Sequence, residues 1–418
     1  MQNTTILDTW YLRGEKDQSR SGGLQLDRSF QHARYTVGER SCAPSSISRN
    51  HVRKEMTLKL LVLPGDGIGP EITAATLNVL KAADAAIGLQ LEFQKLDIGL
   101  KSLAEQGTTL PEAVLTEVPR ADGVILGPVS HYEYPARDKG GINPSGELRT
   151  KFELFANVRP CRSRDGLTIL RKPMDLVIVR ENTEGFYSDR NMFAGTGEFM
   201  PDPDLAFSIR KVTAKASSRV AKAAFEIARG RRKKVTAVHK ANVVKLSDGL
   251  FLREVRKVAE SYPDVQLEEL IVDAAAAHLI RSPDRFDVIV TTNMFGDILS
   301  DEASELSGSL GLGGSINAGE DICVAQAQHG SAPDIAGKNV ANPTSLILSA
   351  AMMFHWLGQR RNDANLLRAS QMIENAVEAV LSRPVLRTRD LGGTLDTDAF
   401  TTKVAEAIRA EAAPSTAA

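Results

Sequence analysis

Strand-sized apolar runs alternate with helix-length amphipathic stretches along most of this 418-residue chain, and that alternation constrains the fold more than any single motif. Short apolar runs stand at 58–63, 91–96, 123–126, 176–179, 235–238, 267–272 and 286–290. Helical spacing fills 70–86, 212–228 and 248–260. Two longer helices are expected at 343–357, ending at Gly358, and at 362–381, stopped by Arg383-Pro384. Near-continuous apolar strands between helices predict an α/β fold around a largely buried sheet. No apolar run approaches the roughly 18 residues of a membrane span. No internal repeat is visible.

Composition narrows the function classes. With 42% hydrophobic and 25% charged residues the chain is globular, not fibrous or disordered, and long enough for two or three domain-sized units. Lys+Arg 51 against Asp+Glu 52 argues against a general nucleic-acid binder, though not against a local cationic pocket. Cys42, Cys161 and Cys323 are scattered, which fits free thiols in a reducing, cytoplasmic setting and offers no zinc spacing. Residues 1–55 differ in kind: polar, aperiodic and expected to be mostly disordered. Asp8, Glu15, Asp17, Asp27, Glu39 and Glu55 make this stretch a poor transit peptide. The preferred reading takes Met56 as the natural initiator; the alternative is a regulatory or targeting tail. A frayed small-residue tail is expected at 413–418.

Several motifs carry chemistry. Leu63-Pro64-Gly65-Asp66-Gly67-Ile68-Gly69-Pro70 joins a strand to a helix, but it reads G-x-G-x-G and fails the G-x-G-x-x-G dinucleotide test. A structural turn and a nucleotide site are equally open there. Arg149, Arg159 and Arg180 (the last at a strand end) are suited to fork onto carboxylates, although each alone is more often a surface ion pair. Lys240 follows the strand 235–238, where desolvation would make a base of it; taken alone, a solvated lysine is the better reading. His239 beside it reads as a core histidine. Asp273 is expected to end the strand 267–272. Asp297 and Asp301, four apart, would share one helix face, a costly pair unless a cation compensates. Oxygen-only ligands point to Mg²⁺ or Mn²⁺; the bland alternative is an acid-rich first helical turn. Residues 329–342 form a loop of small residues before a long helix, able to approach a flat ligand. The basic run 229–234 is a helix end and solvated connector, with no nucleic-acid role.

Together, in this order, these stretches resemble the metal-dependent β-decarboxylating dehydrogenases: the isocitrate, 3-isopropylmalate, homoisocitrate and tartrate/D-malate enzymes. The resemblance runs from about Leu58 to Ala410. It implies the two-domain isocitrate/isopropylmalate dehydrogenase fold rather than a Rossmann fold, with a first domain of 57–154 plus 309–412 and a second of 155–308. It implies a homodimer or larger assembly with shared active sites. By motif, Arg149, Arg159 and Arg180 resemble the arginines that bind substrate carboxylates. Tyr187 resembles the acid that protonates carbon 3. Lys240 resembles the base, with Asn242 beside it, both lent to the partner's site. Asp273, Asp297 and Asp301 resemble the metal aspartates, Asp273 crossing the interface. The loop from His329 through Gly330, Ser331, Ala332, Pro333, Asp334 and Ile335 to Asn342 resembles the adenosine-binding loop, and Asp334-Ile335 resembles the NAD-using members. An acid there favours a ribose 2′-hydroxyl over a 2′-phosphate.

The substrate is read from the helix before Arg149. Isopropylmalate enzymes place leucines three and four residues before that arginine; Gly146 and Ser145 stand here. Isocitrate enzymes place Ser and Asn six and four residues before it; Asn143 and Ser145 stand here, the types exchanged. Two polar groups suit a hydrogen-bonding substituent. The segments 238–242 and 246–251 look more like NAD-linked isocitrate enzymes, and 294–304 more like isopropylmalate enzymes. Gln326 stands where relatives often carry Glu. The expectation is NAD-dependent oxidative decarboxylation of an isocitrate-like 2-hydroxy di- or tricarboxylate. The alternatives are 3-isopropylmalate or tartrate/D-malate as substrate, a regulatory subunit, and a metal-free Rossmann dehydrogenase. Neither membrane nor nucleic acid is expected as a partner.

Overall fold

The computed structural model describes residues 57–187, 192 and 195–412, all within the unit Glu55–Ala418. The leading segment to residue 55 and the tail 413–418 lie outside the described residues. The chain opens β1 (Leu58–Leu63), α1 (Gly69–Ile87), β2 (Leu91–Lys95), α2 (Gly99–Gln106), α3 (Glu112–Glu117), β3 (Gly123–Leu126) and α4 (Pro144–Lys151). It continues β4 (Ala156–Arg162), β5 (Asp175–Glu181), β6 (Glu198–Asp202), β7 (Leu205–Ser208), α5 (Ala214–Arg229), β8 (Lys234–His239) and α6 (Ser247–Ala259). There follow β9 (Gln266–Ile271), α7 (Val272–Arg281), β10 (Val288–Thr291), α8 (Asn293–Ser307), β11 (Ile316–Ala318) and β12 (Cys323–Gln326). Helices α9 (Thr344–Arg361), α10 (Ala364–Leu381) and α11 (Thr397–Ala412) close it.

Ten strands form one sheet in the order β2-β1-β3-β12-β11-β4-β5-β10-β8-β9. Both flanks are parallel, and β11 and β4 run antiparallel to their neighbours in the middle. The period of two decides which way each strand side chain faces. In β1, Leu60 and Val62 enter a core with α1, α9, α10 and α11, while Leu61 and Leu63 face a second cluster around Val114 and Leu148. In β5, Val177 and Val179 pack with α5 and α6, while Leu176 and Ile178 meet α7 and α8. Covering on both faces explains the unbroken apolar runs. Each such side chain contributes about 1.5–3 kcal/mol when fully buried.

Local chemistry corrects three sequence expectations. The strand expected at 267–272 stops at Ile271, so Asp273 stands in the first turn of α7 rather than ending β9. Helix α9 passes through Gly358, which lies against Leu367, and ends instead at Arg361 with Asn362 left-handed. The Gly-rich turn is structural. Asp66 turns its carboxylate inward to Leu100 N at 2.7 Å, Ser130 N at 2.9 Å and the Tyr134 hydroxyl. Gly67, at φ +56°, lies where a Cβ would collide with the Ser331 carbonyl, which itself accepts Ile68 N at 2.8 Å. The turn therefore braces the 329–342 loop.

Gly67→Ala is expected to lower the thermal midpoint by about 3 °C or more, since it combines a left-handed backbone with a collision against main chain. Differential scanning fluorimetry of the purified variant measures this.

Candidate active site

Strand ends deliver the charged side chains. Arg180 on β5 is 2% exposed, beside Asn293 at the start of α8. Its Nε and Nη2 donate to Asn293 Oδ1 at 2.9 and 2.6 Å, its Nη2 to the Tyr187 oxygen at 2.7 Å, and its Nη1 to Asp297. Gly296 makes this approach possible: a Cβ there would stand 2.6 Å from the Arg180 side chain. Tyr187 in turn donates to Asp297 Oδ2 at 3.1 Å. On β4, Arg159 Nη1 reaches Ser300 Oγ at 2.7 Å, Asp301 Oδ1 at 3.0 Å and Asp297 Oδ1 at 3.5 Å. Arg149 on α4 donates to Gln326 Oε1 at 3.3 Å.

The structure thus joins Arg159, Arg180, Tyr187, Asp297 and Asp301 in one hydrogen-bonded group, with Arg149 acting through Gln326. Burial pushes the Asp297 carboxyl up, but Arg180 and Arg159 outweigh it and hold the group below the usual range. Asp301 is raised, by burial first, with the Asp297 charge adding to it against the pull of Arg159. The Tyr187 phenol is also raised, by burial first and by Asp297 in addition. It is a proton donor in this setting.

Lys240, just after β8, and Asp273, in the first turn of α7 after the neighbouring β9, pair with each other. The hydrogen bond from Lys240 holds the Asp273 carboxyl below its ordinary value. Asp273 and Asn242 are exposed. Among the described residues no three His, Cys, Asp or Glu side chains group as a metal site. Asp297 and Asp301 offer oxygen ligands one helical turn apart, 40% and 52% exposed, which suits a hard divalent cation but supplies only part of its shell. Asn143 Oδ1 caps α4 by accepting Gly146 N at 3.2 Å, and Ser145 Oγ is turned onto Gln326 Oε1 at 3.0 Å. In the 329–342 loop, His329 Nδ1 lies 3.0 Å from the Gly330 carbonyl, and its buried Nε2 has no partner among the described residues. Ser331 meets Ser130 at 2.8 Å, Asn342 meets Asp390 at 2.9 Å, and Asp334 is exposed. An unpartnered ring nitrogen and an exposed acid in the same loop are polar groups of the kind that meet a nucleoside.

Sequence reading missed two supports of this site. Arg210 pairs with the fully buried Asp248 at 2.6 Å, donates to Thr292 Oγ1 at 2.8 Å and lies between the rings of Phe186 and Phe295. Asp248 accepts the backbone N–H of Lys240 at 2.6 Å. One ion pair therefore ties the Tyr187 segment, the Lys240 turn and the head of α8 together. The second is the carboxyl pair Glu181 and Glu184, both under 5% exposed. Glu181 accepts Thr183 N at 2.7 Å and Glu184 N at 3.0 Å, and Glu184 accepts Thr213 N at 2.6 Å. Arg210 with Asp248 and Thr292, and Glu184 with Thr213, are too distant in sequence to leave a local signal.

Comparisons with known proteins bear on this geometry. The family model described as Isocitrate/isopropylmalate dehydrogenase matches residues 59–408. An isocitrate/homoisocitrate dehydrogenase of Thermus thermophilus is 42% identical over 356 residues, 85% of this chain and 99% of that protein. A 3-isopropylmalate dehydrogenase of Methanothermobacter thermautotrophicus is 42% identical over 350 residues, covering 84% and 98%. The crystal structure of isocitrate dehydrogenase from Methylococcus capsulatus superposes with a TM-score of 0.74 at 39% identity, covering 84% of this chain and all of that one.

Two outcomes are expected. Asp248→Ala strands Arg210 without its counter-charge and costs about 3–5 kcal/mol in chemical denaturation. In a double-mutant cycle with Arg210→Met the losses fall short of their sum. Burial, with Glu181 adding, raises Glu184 from 4.5 to about 7. Below the ordinary value the group is protonated whether folded or not; between there and about 7 the folded chain alone keeps the proton. Stability therefore falls as pH rises through that window. The drop in thermal midpoint from pH 5 to pH 8 is expected to shrink in Glu184→Gln.

Proposed function

The chain belongs to the isocitrate/isopropylmalate dehydrogenase family, and on that premise we propose that it oxidises and decarboxylates an isocitrate-like 2-hydroxy di- or tricarboxylate with NAD⁺, giving a 2-oxo acid and CO₂. The observation that carries the reading is the single cluster of Arg159, Arg180, Tyr187, Asp297 and Asp301, with Arg149 at its edge. Three guanidinium groups against two carboxylates leave a net positive site, suited to a polyanionic substrate. Arg149, Arg159 and Arg180 bind its carboxylates and orient the carbon to be oxidised. Asp297 and Asp301 would hold Mg²⁺ or Mn²⁺ with Asp273 lent by a second copy of the chain; when bound, that cation acidifies the hydroxyl and stabilises negative charge on the oxygen during loss of CO₂. Lys240 from the second copy takes the hydroxyl proton, directly or through water, as hydride leaves carbon 2. Tyr187, held protonated between Arg180 and Asp297, returns a proton to carbon 3. The 329–342 loop takes the adenosine of NAD, with the exposed Asp334 carboxylate facing a 2′-hydroxyl.

Several features support the remaining parts of the reading. Apolar side chains stand exposed on the β6–β7 hairpin, where Phe199 and Phe207 stack, and on α8 at Met294 and Ile298. A second copy covering these patches makes a homodimer in which Lys240 and Asp273 cross over. The domain division proposed is 57–154 with 309–412 against 155–308, meeting at β11 and β4. No helix among the described residues is long and apolar enough to cross a membrane. The free, buried thiols Cys161 and Cys323 support the proposed cytoplasmic setting.

Gly146 and Ser145 leave no leucine wall for an isopropyl group, which favours the polar substrate. The similarity to a 3-isopropylmalate enzyme keeps that acid as the second reading. NADH formation over isocitrate, homoisocitrate, 3-isopropylmalate, D-malate and tartrate, with Mg²⁺ or Mn²⁺, separates them. Lys240→Ala and Tyr187→Phe are each expected to cut turnover at least about 100-fold while the chain stays folded. Exhaustive chelation is expected to abolish turnover until Mg²⁺ or Mn²⁺ is returned. Normal turnover in both variants, or after chelation, would reject the mechanism.

A further inference from the structure

A buried chain of side-chain amides runs through the centre of the sheet, where β11 and β4 reverse the strand direction. It begins at Arg159, whose Nε donates to Asn157 Oδ1 at 2.7 Å. That bond fixes which end of the Asn157 amide is oxygen, so its Nδ2 must donate onward. It does so to Ser315 Oγ at 2.8 Å, the Ile316 carbonyl at 3.1 Å and Asn317 Oδ1 at 3.2 Å. Asn182 Nδ2 donates to the same Asn317 oxygen at 3.0 Å. Asn317 is thereby oriented in its turn, and its Nδ2 donates to Gln326 Oε1 at 3.1 Å. The same Gln326 oxygen accepts Ser145 Oγ at 3.0 Å and Arg149 Nη2 at 3.3 Å. Asn157, Asn182 and Asn317 are at most 1% exposed, and Gln326 is 9% exposed.

Asn157 and Asn317 each donate onward along this path, which ends on the Gln326 oxygen. The two arginines at its ends come from α4 and β4, on separate elements with no direct bond between them. Besides the short backbone link from α4 to β4, their side chains are connected through three amides packed in the sheet.

We propose that Gln326 is a positioning residue of the substrate site: its amide oxygen is the common acceptor that sets Arg149 and the head of α4 in register with Arg159. This rests on the reading of Arg149 and Arg159 as carboxylate-binding groups and names what holds their spacing. A substrate with carboxylates at a fixed separation is then selected by a distance built into the middle of the sheet. A side chain of the same length without the oxygen leaves three donors without this acceptor and removes one of the contacts that orient Arg149, which weakens substrate binding more than the chemical step.

Steady-state kinetics test this, with isocitrate or whichever screened 2-hydroxy acid is turned over. Gln326→Met is expected to raise its KM by about tenfold, the scale of one lost hydrogen bond to a charged group. Both kcat and the KM for NAD⁺ are expected to stay within about threefold of the parent. Asn317→Leu is expected to behave alike, and the double variant to be no worse than either single one, because both cut the same chain. Gln326→Glu keeps an acceptor in place and, although its charge competes with the substrate for Arg149, is expected to raise the KM less than Gln326→Met does. An unchanged KM in folded Gln326→Met, or an equal loss in Gln326→Glu, overturns the proposal. Should Asn317→Leu fail to fold, Gln326→Met, which matches glutamine in length, decides alone. Arg149→Lys separates the two layers: if it leaves the KM unchanged, the carboxylate-binding reading itself falls. If it raises the KM while Gln326→Met does not, only the positioning role falls.

Discussion

The organisation of the site depends on one buried cation, the guanidinium of Arg180. A fully desolvated charge is tolerated only when its donors are matched by acceptors. Here Asn293, Asp297 and Tyr187 meet them, and each comes with structure attached. Asn293 and Asp297 bring the first turns of α8, and Gly296 between them removes the side chain that would hold the helix off. Tyr187 brings the segment after β5. Arg180 holds Asp297 ionised, while burial and the Asp297 charge, against the pull of Arg180, keep the Tyr187 phenol protonated. The adjoining acid and phenol thus differ in charge for different reasons.

The second ion pair works at a longer range. Arg210 and Asp248 lie on the far side of Thr292 and Phe295, and Asp248 fixes the backbone of Lys240 without touching its amine. The amine is therefore left to Asp273 within one copy of the chain. Both of these groups are near the surface, while Asp297 and Asp301 sit above the buried arginines. In the proposed homodimer, these two sets of charge would become complementary when a second copy is brought up. That arrangement avoids burying an unpaired lysine or aspartate in the separated chain, where its cost would oppose folding.

Much of the fold was legible because the strands are covered on both faces. Continuous apolar runs announced β1, β3, β5, β8 and β10 within a residue or two. The strands β4, β11 and β12 went unread, and the reason is visible in their residues. They carry Asn157, Arg159, Asn317 and Gln326 inward, polar groups that break an apolar run yet are satisfied by one another in the sheet. The charged residues of the cluster were legible as types at strand ends and one helical turn apart. What joins them was not, because Ser300 and Arg159, Asn293 and Arg180, Gln326 and Arg149, and Arg210 and Thr292 are each more than 80 residues apart. The Gly-rich turn shows the same limit from the other side: its letters suited a nucleotide loop, and only Ser331, far along the chain, settles what fills it.

The neutral end of the amide chain has an electrostatic consequence. An amide oxygen and a carboxylate oxygen can both accept from Ser145, Arg149 and Asn317, so hydrogen bonding alone does not distinguish Gln from Glu at position 326. Charge does. A carboxylate there would be a third negative group among three arginines and two aspartates, and would compete with the substrate for Arg149 in a region screened little by solvent. Glutamine holds the guanidinium by the same geometry and adds no charge of its own. The attraction of Arg149 for a negative group then stays directed toward whatever carboxylate enters the site. Geometry and charge are in this way assigned to different residues: the amides set the spacing of the arginines, and the arginines alone supply the field.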